Sequence, residues 1–459
     1  EADRAWLAAA FDDARARLGA DPLLPPALDF LARVLLLDPP PYLADRRGAW
    51  LTFVQDWQQA TGAVMAKGHE DTALYVHARL LSLNEVGGVP RGVDPPGNLG
   101  AFHERNRVRR ERWPATLNAT GTHDSKRSED VGARINVLAE LPAEWERRLM
   151  GWLEGNARHR RQLADGRVAP DVNEQLFLYQ TLLGAWPLDG EEEAAFGGRV
   201  AAYLRKSLRE AKTHSSWLAP DEAYEEAALA FAAALLRDEP GNDFLAELRD
   251  FGERIAAFGA WGSLAQVVLK VASPGVPDFY QGSELWDLSL VDPDNRRPVD
   301  FDRRRALLAE LQRRHRSEDR ADLLADLLAG WRDGRVKLYT TWRALAARAA
   351  DPRLFLDGDY RPLLAEGERC RHLVAFARRH EGRWLLVAVP RWVSGLVGAH
   401  QAPVGAAVWA ATWVPLPEGA PRRWRDAFTG DEVLAADGER RLAAGTLLAA
   451  FPVALLHAG

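Results

Sequence analysis

One cysteine, Cys370, stands in 459 residues. No intrachain disulfide and no cysteine-based metal cluster can form, which fits a reducing cytoplasm. No uninterrupted apolar run reaches the ~18 residues of a membrane span, and no signal-like segment precedes the first helical stretch. A membrane is therefore not expected among the partners. An excess of one charge is also missing: 59 Lys and Arg are interspersed with 65 Asp and Glu, for a net −6. Without a basic patch, nucleic acid is not expected either. Internal repeats and low-complexity tracts are lacking. The first residue is Glu1 and not Met, which fits a natural start further upstream.

What is there reads as ordinary globular sequence, 47% apolar and 27% charged, long enough for about three domains. The basic residues are overwhelmingly Arg. Seventeen Trp are many for this length. Indole faces stack on the C–H faces of pyranoses, although most Trp in a large protein are core or half-buried. Residues 1–112 read as helical, with apolar stripes over Ala5–Leu18, Pro26–Leu37, Ala49–Met65 and Thr72–Leu83. A Pro/Gly-rich loop, Val89–Gly100, follows. Helical periodicity returns over Glu144–Lys212, Glu222–Leu236, Asp243–Val271, Asp302–Leu328 and Val336–Ala347. From Phe355 the texture changes to strand-length apolar runs, Leu373–Ala377, Trp384–Val389, Ala406–Val414 and Thr446–Leu456. That pattern predicts a terminal all-β sandwich.

The most informative stretch is NATGTHDSKRSED, Asn118–Asp130. A short run, Ala115–Thr120, leads into Thr122-His123-Asp124. A helix then opens, with Ser125 and Ser128 as capping candidates and Glu129 and Asp130 in its first turn, where acids suit the helix dipole. A His-Asp pair between strand and helix is where a β/α barrel displays its chemistry. Asp124 as a plain turn cap is the competing reading.

THDSKRSEDVGARINVL resembles the equivalent stretch of the maltooligosyltrehalose synthase family, in the α-amylase clan of retaining glycosidases. MAKGHEDTALY (Met65–Tyr75), RLLSLNEVGG (Arg79–Gly88), REAKTHSSWLAPDEAYE (Arg209–Glu225), SPGVPDFYQGSELWDLSLVDPDNRRPVDF (Ser273–Phe301) and FLDGDYRPL (Phe355–Leu363) resemble that family too, in its order. The PGVPxxYQGxE and DPDNRRP pieces point only to the wider clan. The MAKGHEDT, THDSKRSED and REAKTHSSW pieces point to the synthase.

The resemblance implies a multidomain α+β chain. It would hold the last strands and helices of a (β/α)8 TIM barrel with large helical insertions, followed by a C-terminal all-β sandwich. Residues 1–112 and 151–262 would be helical insertions, 113–150 the strand and helix carrying the THD motif, 263–350 the end of the barrel, and 351–459 the sandwich. Only two barrel-type strands are evident, near Leu117–His123 and Val276–Gln281, against the eight a full barrel needs. The family's nucleophile segment, similar to RxDHxDG, and its acid/base Glu do not occur. The expectation is therefore a C-terminal part of such an enzyme, inactive alone and partnered by its missing N-terminal part.

By the same resemblance Asp124 would be the third acid, stabilising an oxocarbenium-like transition state, with His123 touching the same sugar. Lys126 and Arg127, directly after it, would also serve the site. Lys67, Glu70 and Asp71 would line a pocket for the reducing-end glucose, or else form a solvated charged face. Tyr280, Gln281 and Glu284 would lie on the barrel rim, with Asp292 in a loop closing over it. Asp294-Asn295 reads as turn chemistry, and His214–Trp217 has no derivable role. His69, Asp71 and His77 lack a metal-ligand spacing, so no metal is expected. No cofactor is expected, because exchanging one glycosidic bond for another is not a redox step.

The implied substrate is a maltooligosaccharide whose terminal α-1,4 bond becomes α,α-1,1. Rival readings are an α-amylase-like hydrolase or 4-α-glucanotransferase, and a non-catalytic module that binds glucan or scaffolds.

Overall fold

Apolar side chains spaced three and four apart wind most of this chain into helix, and the β-rich texture is confined to its last hundred residues. The computed structural model describes residues 2–17, 23–88, 98–188, 190–317, 320–435 and 440–459. Most of the expected Pro/Gly loop, 89–97, lies outside them. Two compact units result, Glu1–Ala73 and Leu74–Gly459. The segment 1–112 drawn from sequence straddles their boundary.

The first unit holds the helices Ala2–Ala16, Leu24–Leu35 and Arg47–Met65 around a small core of Phe11, Ala32, Val34, Leu35 and Val54. It closes on a π-helical stretch, Ala66–Ala73. In the second unit the expected helix Thr72–Leu83 is broken into two single turns, Leu74–Val76 and Leu81–Leu83. The break has a cause: Asn84 folds back and its Nδ2 donates to the carbonyl of Leu74 at 3.0 Å.

The axis of the second unit is the helix Asp243–Ala272, opened by the Asn242 side chain, which accepts from the N–H of Leu245. It is long and apolar enough to cross a membrane, yet 83% of that apolar window is buried inside the protein. Its apolar surface is spent on protein packing. Against it lie the helices Glu129–Asn136 and Arg335–Ala350 and the strand Arg383–Pro390. Glu129–Asn136 comes unusually close, because glycines face it on two sides. A Cβ on Gly259 would meet Arg134 Cα at 2.9 Å, and one on Gly184 would meet Val131 Cγ1 at 2.9 Å. Two short strands, Leu117–Asn118 and Val276–Pro277, pair in parallel beside this helix. The second is shorter than the expected Val276–Gln281.

The C-terminal region contains a six-stranded antiparallel sheet in the order Glu432–Leu434, Arg423–Asp426, Ala454–Ala458, Arg383–Pro390, Leu373–His380, Arg361–Leu363. A three-stranded sheet, Arg441–Ala443, Thr412–Pro415 and Glu366–Gly367, accompanies it. Mixed helix and sheet is thus the architecture. Two apolar runs expected as strands begin as helical turns, Ala406–Trp409 and Ala444–Leu447. A short apolar run does not by itself distinguish strand from buried helix.

Arg378 bolts this sheet to the helices. Its buried guanidinium donates to the carbonyls of Phe355, Gly358 (2.8 Å), Asp359 (3.1 Å) and Ala272 (3.3 Å), while burial pushes its pKa down to about 10.

Asp426 is fully buried in the same sheet. Its carboxyl is pushed up to about 7 by burial, against the N–H groups of Phe428 and Thr429 that donate to Oδ1 at 2.6 and 3.2 Å. A folded-state pKa above the unfolded value means stability that is complete at low pH and lost as pH rises towards 7. Between pH 5 and 8 the unfolding free energy from urea titration should fall, on the order of a few kcal/mol in all. Asp426→Asn should flatten that slope, and an equally steep slope in the variant would refute the assignment.

Candidate active site

The site grows from the exit of the strand Leu117–Asn118. Thr122, His123 and Asp124 form a tight turn, in which the Ser125 hydroxyl accepts from the N–H of Thr122 at 2.8 Å and the Thr122 hydroxyl accepts from the N–H of Asp124 at 3.2 Å. His123 is exposed, and its carbonyl accepts from Asn295 Nδ2 at 3.0 Å. Asp124 keeps 44% of its side chain open, with Lys126 Nζ 3.7 Å from its Oδ1. It caps no helix. Helix Glu129–Asn136 begins after Ser128, whose hydroxyl donates to the carbonyl of Asp287 in place of capping.

Lys126 is buried, with its Nζ 5.6 Å from the Tyr75 ring centroid and its N–H donating to Glu85 Oε1 at 2.9 Å. Its charge also reaches Asp292. Burial raises the Asp292 carboxyl, but Lys206 at 2.6 Å and Arg296 at 3.6 Å outweigh burial and leave it below the usual range. Asp124, Lys126 and Asp292 are thus brought together, and Lys206, from the helix Gly190–Ala211, joins them unannounced by any motif.

Arg127 behaves differently from the sequence expectation. Its guanidinium is buried and donates to the carbonyls of Leu81 and Asn84 (2.8 Å), clamping the segment before the site. Tyr280 donates its hydroxyl to the carbonyl of Asn295 at 3.1 Å, Gln281 is exposed, and Glu284 pairs with Arg304 at 3.0 Å. Lys67, Glu70 and Asp71 belong to the first compact unit, where Lys67 pairs with Asp71 within the π-helical turn.

The acids at the helix start do more than face a dipole. Lys337 Nζ lies 2.7 Å from Glu129 Oε1 and 2.7 Å from Asp130 Oδ2, and Lys270 Nζ lies 3.1 Å from Glu129 Oε2. Thr120 donates to Glu129, and the N–H of Asp287 donates to Asp130 at 2.7 Å. Burial raises Glu129, but Lys337 and Lys270 outweigh it and hold it at about 2. Burial lowers Lys337, which Asp130 and Glu129 reverse and carry above its ordinary value. Asp130 itself is raised, by burial first. Two acids and two lysines neutralise one another beneath the Asp124 turn. Sequence reasoning missed both lysines, although a Lys inside the apolar run Val267–Ala272 was a visible signal.

Among the described residues, Asp171, Glu174 and His214 are the one acid and His trio with donor atoms within 4.8 Å of one another. Asp171 and Glu174 form a capping box on the helix Val172–Ala185, Tyr224 donates to Glu174 at 2.5 Å, and His214 Nε2 lies 3.0 Å from Asp171. These groups satisfy one another, and the positive helix end disfavours a cation there.

No family model matches the chain. A curated protein of Mycobacterium tuberculosis named "Putative maltooligosyl trehalose synthase" is 40% identical over 375 residues, 81% of this chain and 42% of that protein. The solved maltooligosyltrehalose synthase of Arthrobacter ramosus aligns over 99% of this chain and 51% of its own, with 33% identity and a TM-score of 0.74. The chain is a relative of the maltooligosyltrehalose synthases. It spans about half the length of these relatives or less. A Sulfolobus tokodaii protein described as a hypothetical maltooligosyl trehalose synthase aligns over 88% of this chain and 46% of its own, at 28% identity and a TM-score of 0.63.

The synthase-like stretches have physical jobs here. In REAKTHSSW, Arg209 makes a bidentate pair with Glu225 at 2.8 and 2.8 Å, Ser215 donates to Glu225 at 2.5 Å, and His214 stacks on Tyr224 with centroids 4.4 Å apart. That stretch is a structural knot holding the helices Gly190–Ala211 and Glu222–Leu235 together. In THDSKRSED the second half is a buried charge lattice. Its first half is the open turn that exposes Asp124.

Proposed function

We propose that this chain serves a maltooligosyltrehalose synthase and carries one of its catalytic acids, Asp124. The observation that supports this most is a half-open Asp124 on a rigid turn at the exit of a parallel strand pair, in a chain related to those synthases. The strands Leu117–Asn118 and Val276–Pro277 would be neighbours in a (β/α)8 barrel, with the other strands in the length that the relatives have and this chain does not span. The nucleophile and the acid/base would lie there too.

In this reading a maltooligosaccharide is cleaved at its reducing-end α-1,4 bond. The donor stays on the nucleophile, and the released glucose returns through its anomeric hydroxyl to form an α,α-1,1 link. Asp124 accepts hydrogen bonds from hydroxyls of the distorted sugar and favours the positive charge that develops on its ring. Lys126 and Lys206 set the field around Asp124 and Asp292, and His123 flanks the same sugar. Water must be kept out, because it competes with glucose for the intermediate.

Maltohexaose incubated with this chain, and with a version extended upstream to the length of its relatives, tests the reading. Reducing ends should disappear without free glucose, and only in the extended version. Glucose release would indicate a hydrolase. Turnover by the short chain would contradict the division of catalytic acids, and no reaction in either would favour a non-catalytic glucan-binding module.

A further inference from the structure

A cleft of about 440 Å³ opens between the helix Arg335–Ala350 and the six-stranded sheet, within the size range of small-molecule sites. It shares no residue with the Asp124 turn or with the charge lattice beneath that turn. Ala346, Ala347 and Ala350 follow Arg343 along one face of the helix, and their methyl groups leave open the volume that larger side chains would fill. Phe355, Leu385 and Leu455, each almost fully buried, complete the apolar walls.

Charge at the rim is unbalanced. Asp351 is committed to Arg383 at 2.8 Å and to the N–H of Leu354 at 3.3 Å. Glu432, opposite Arg425 in the sheet, pairs with Arg423 at 2.8 Å. Arg343 forms no ion pair among the described residues. Its Nε donates to the carbonyl of Ala427 at 2.9 Å, while its two terminal nitrogens make no hydrogen bond and stay open to solvent. His457 lines the same cleft and makes no hydrogen bond or ion pair among the described residues. Arg425 stands across the paired strands from it. Partial burial, then Arg425 and Arg343, lower the pKa of His457, so at neutral pH its ring is uncharged and offers one N–H.

A sugar placed here would leave hydroxyls unpaired against Ala, Leu and Phe side chains. An inorganic anion would use Arg343 but not the walls. We propose that this cleft binds a small carboxylic acid with an apolar body, its carboxylate on Arg343 and its body against Ala347, Phe355 and Leu385. The terminal nitrogens of a guanidinium donate two parallel bonds to a carboxylate, a fit that a point charge does not reproduce. The body leaves water for walls that are already apolar. A ligand held this way touches helix and sheet at once, so it raises the melting temperature of the Leu74–Gly459 unit. Such binding is independent of the synthase reading.

Octanoate is the probe, measured by calorimetry and thermal melting on this chain. Octanol supplies the same body without the charge, and acetate the charge without the body. Octanoate should bind and raise the melting temperature, octanol should bind about tenfold more weakly, and acetate should not bind measurably. Maltohexaose should not compete. Arg343→Gln should weaken octanoate about tenfold. That variant also loses the bond to the Ala427 carbonyl, so Ala347→Leu is the second: it fills the cleft, keeps every charge and hydrogen bond, and should abolish binding with the parent melting curve intact. The upstream-extended protein should bind octanoate as this chain does. Absence of octanoate binding, equal binding of octanol, or competition by maltohexaose would each overturn the proposal. Unchanged affinity in either variant, or loss of binding in the extended protein, would overturn it as well.

Discussion

Lys337→Met lowers the stability of the Leu74–Gly459 unit by about 3–5 kcal/mol, the usual cost of removing one partner from a buried ion pair. Lys337 is fully buried and touches two carboxylates at 2.7 Å each. Met preserves the volume and removes the charge, so Glu129 and Asp130 are left with Lys270 alone. In the parent, Glu129 is held at about 2, below its unfolded value. Its contribution is therefore present above about pH 4.5 and lost as pH falls towards 2. Without Lys337 that sign inverts: both acids are favoured neutral, and the variant should recover stability as pH falls below neutrality. Adding Glu129→Gln and Asp130→Asn to Lys337→Met should restore much of the loss. Urea midpoints at pH 5 and pH 8 measure all of this. A change under 1 kcal/mol would mean the lattice contributes little to the fold.

Asp124→Asn should show the opposite pattern. Its carboxylate is 44% exposed and its nearest charged partner is 3.7 Å away, so stability should move by no more than about 0.5 kcal/mol. In the upstream-extended protein, kcat on maltohexaose should nevertheless fall roughly 10²–10³-fold, because the amide keeps the shape and loses the charge facing the developing cation. KM should change far less than kcat, since the lost interaction belongs to the transition state. A variant with parent kcat would remove Asp124 from the catalytic set. A variant that melts early would assign it a structural role.

The acids on which these two predictions turn, Asp124 and Asp130, lie six residues apart in one motif, THDSKRSED. Nothing in residue type separates them. Asp124 remains at the surface of its turn, while Asp130 is carried inward by a helix wedged between Gly184 and Gly259. Arg127 shows the same limit. As a cation beside a catalytic acid it reads as a substrate ligand, but its guanidinium is taken by the carbonyls of Leu81 and Asn84. The asparagine at position 295 reads as turn chemistry and turns out to hold the His123 carbonyl across the site.

Local order was legible from local pattern. The periodicity of Asp243–Ala272 marks a single long helix, the change of texture after Phe355 marks the β region, and the motifs carry the kinship. Those features depend on neighbours within one or two turns of chain, which a sequence displays directly. The partners of Glu129 and Asp130 come from residues 270 and 337, and the lysine at Asp292 comes from position 206. Such pairings join residues 86 to 208 positions apart, and no spacing rule encodes them. The sequence determined the long helices, the onset of the β region and the family to which the chain is kin, but not the short apolar runs at 74–83, 406–409 and 444–447. Tertiary structure decided which charges are spent inside and which acid stays open, because burial and long-range ion pairing exist only once the chain has folded.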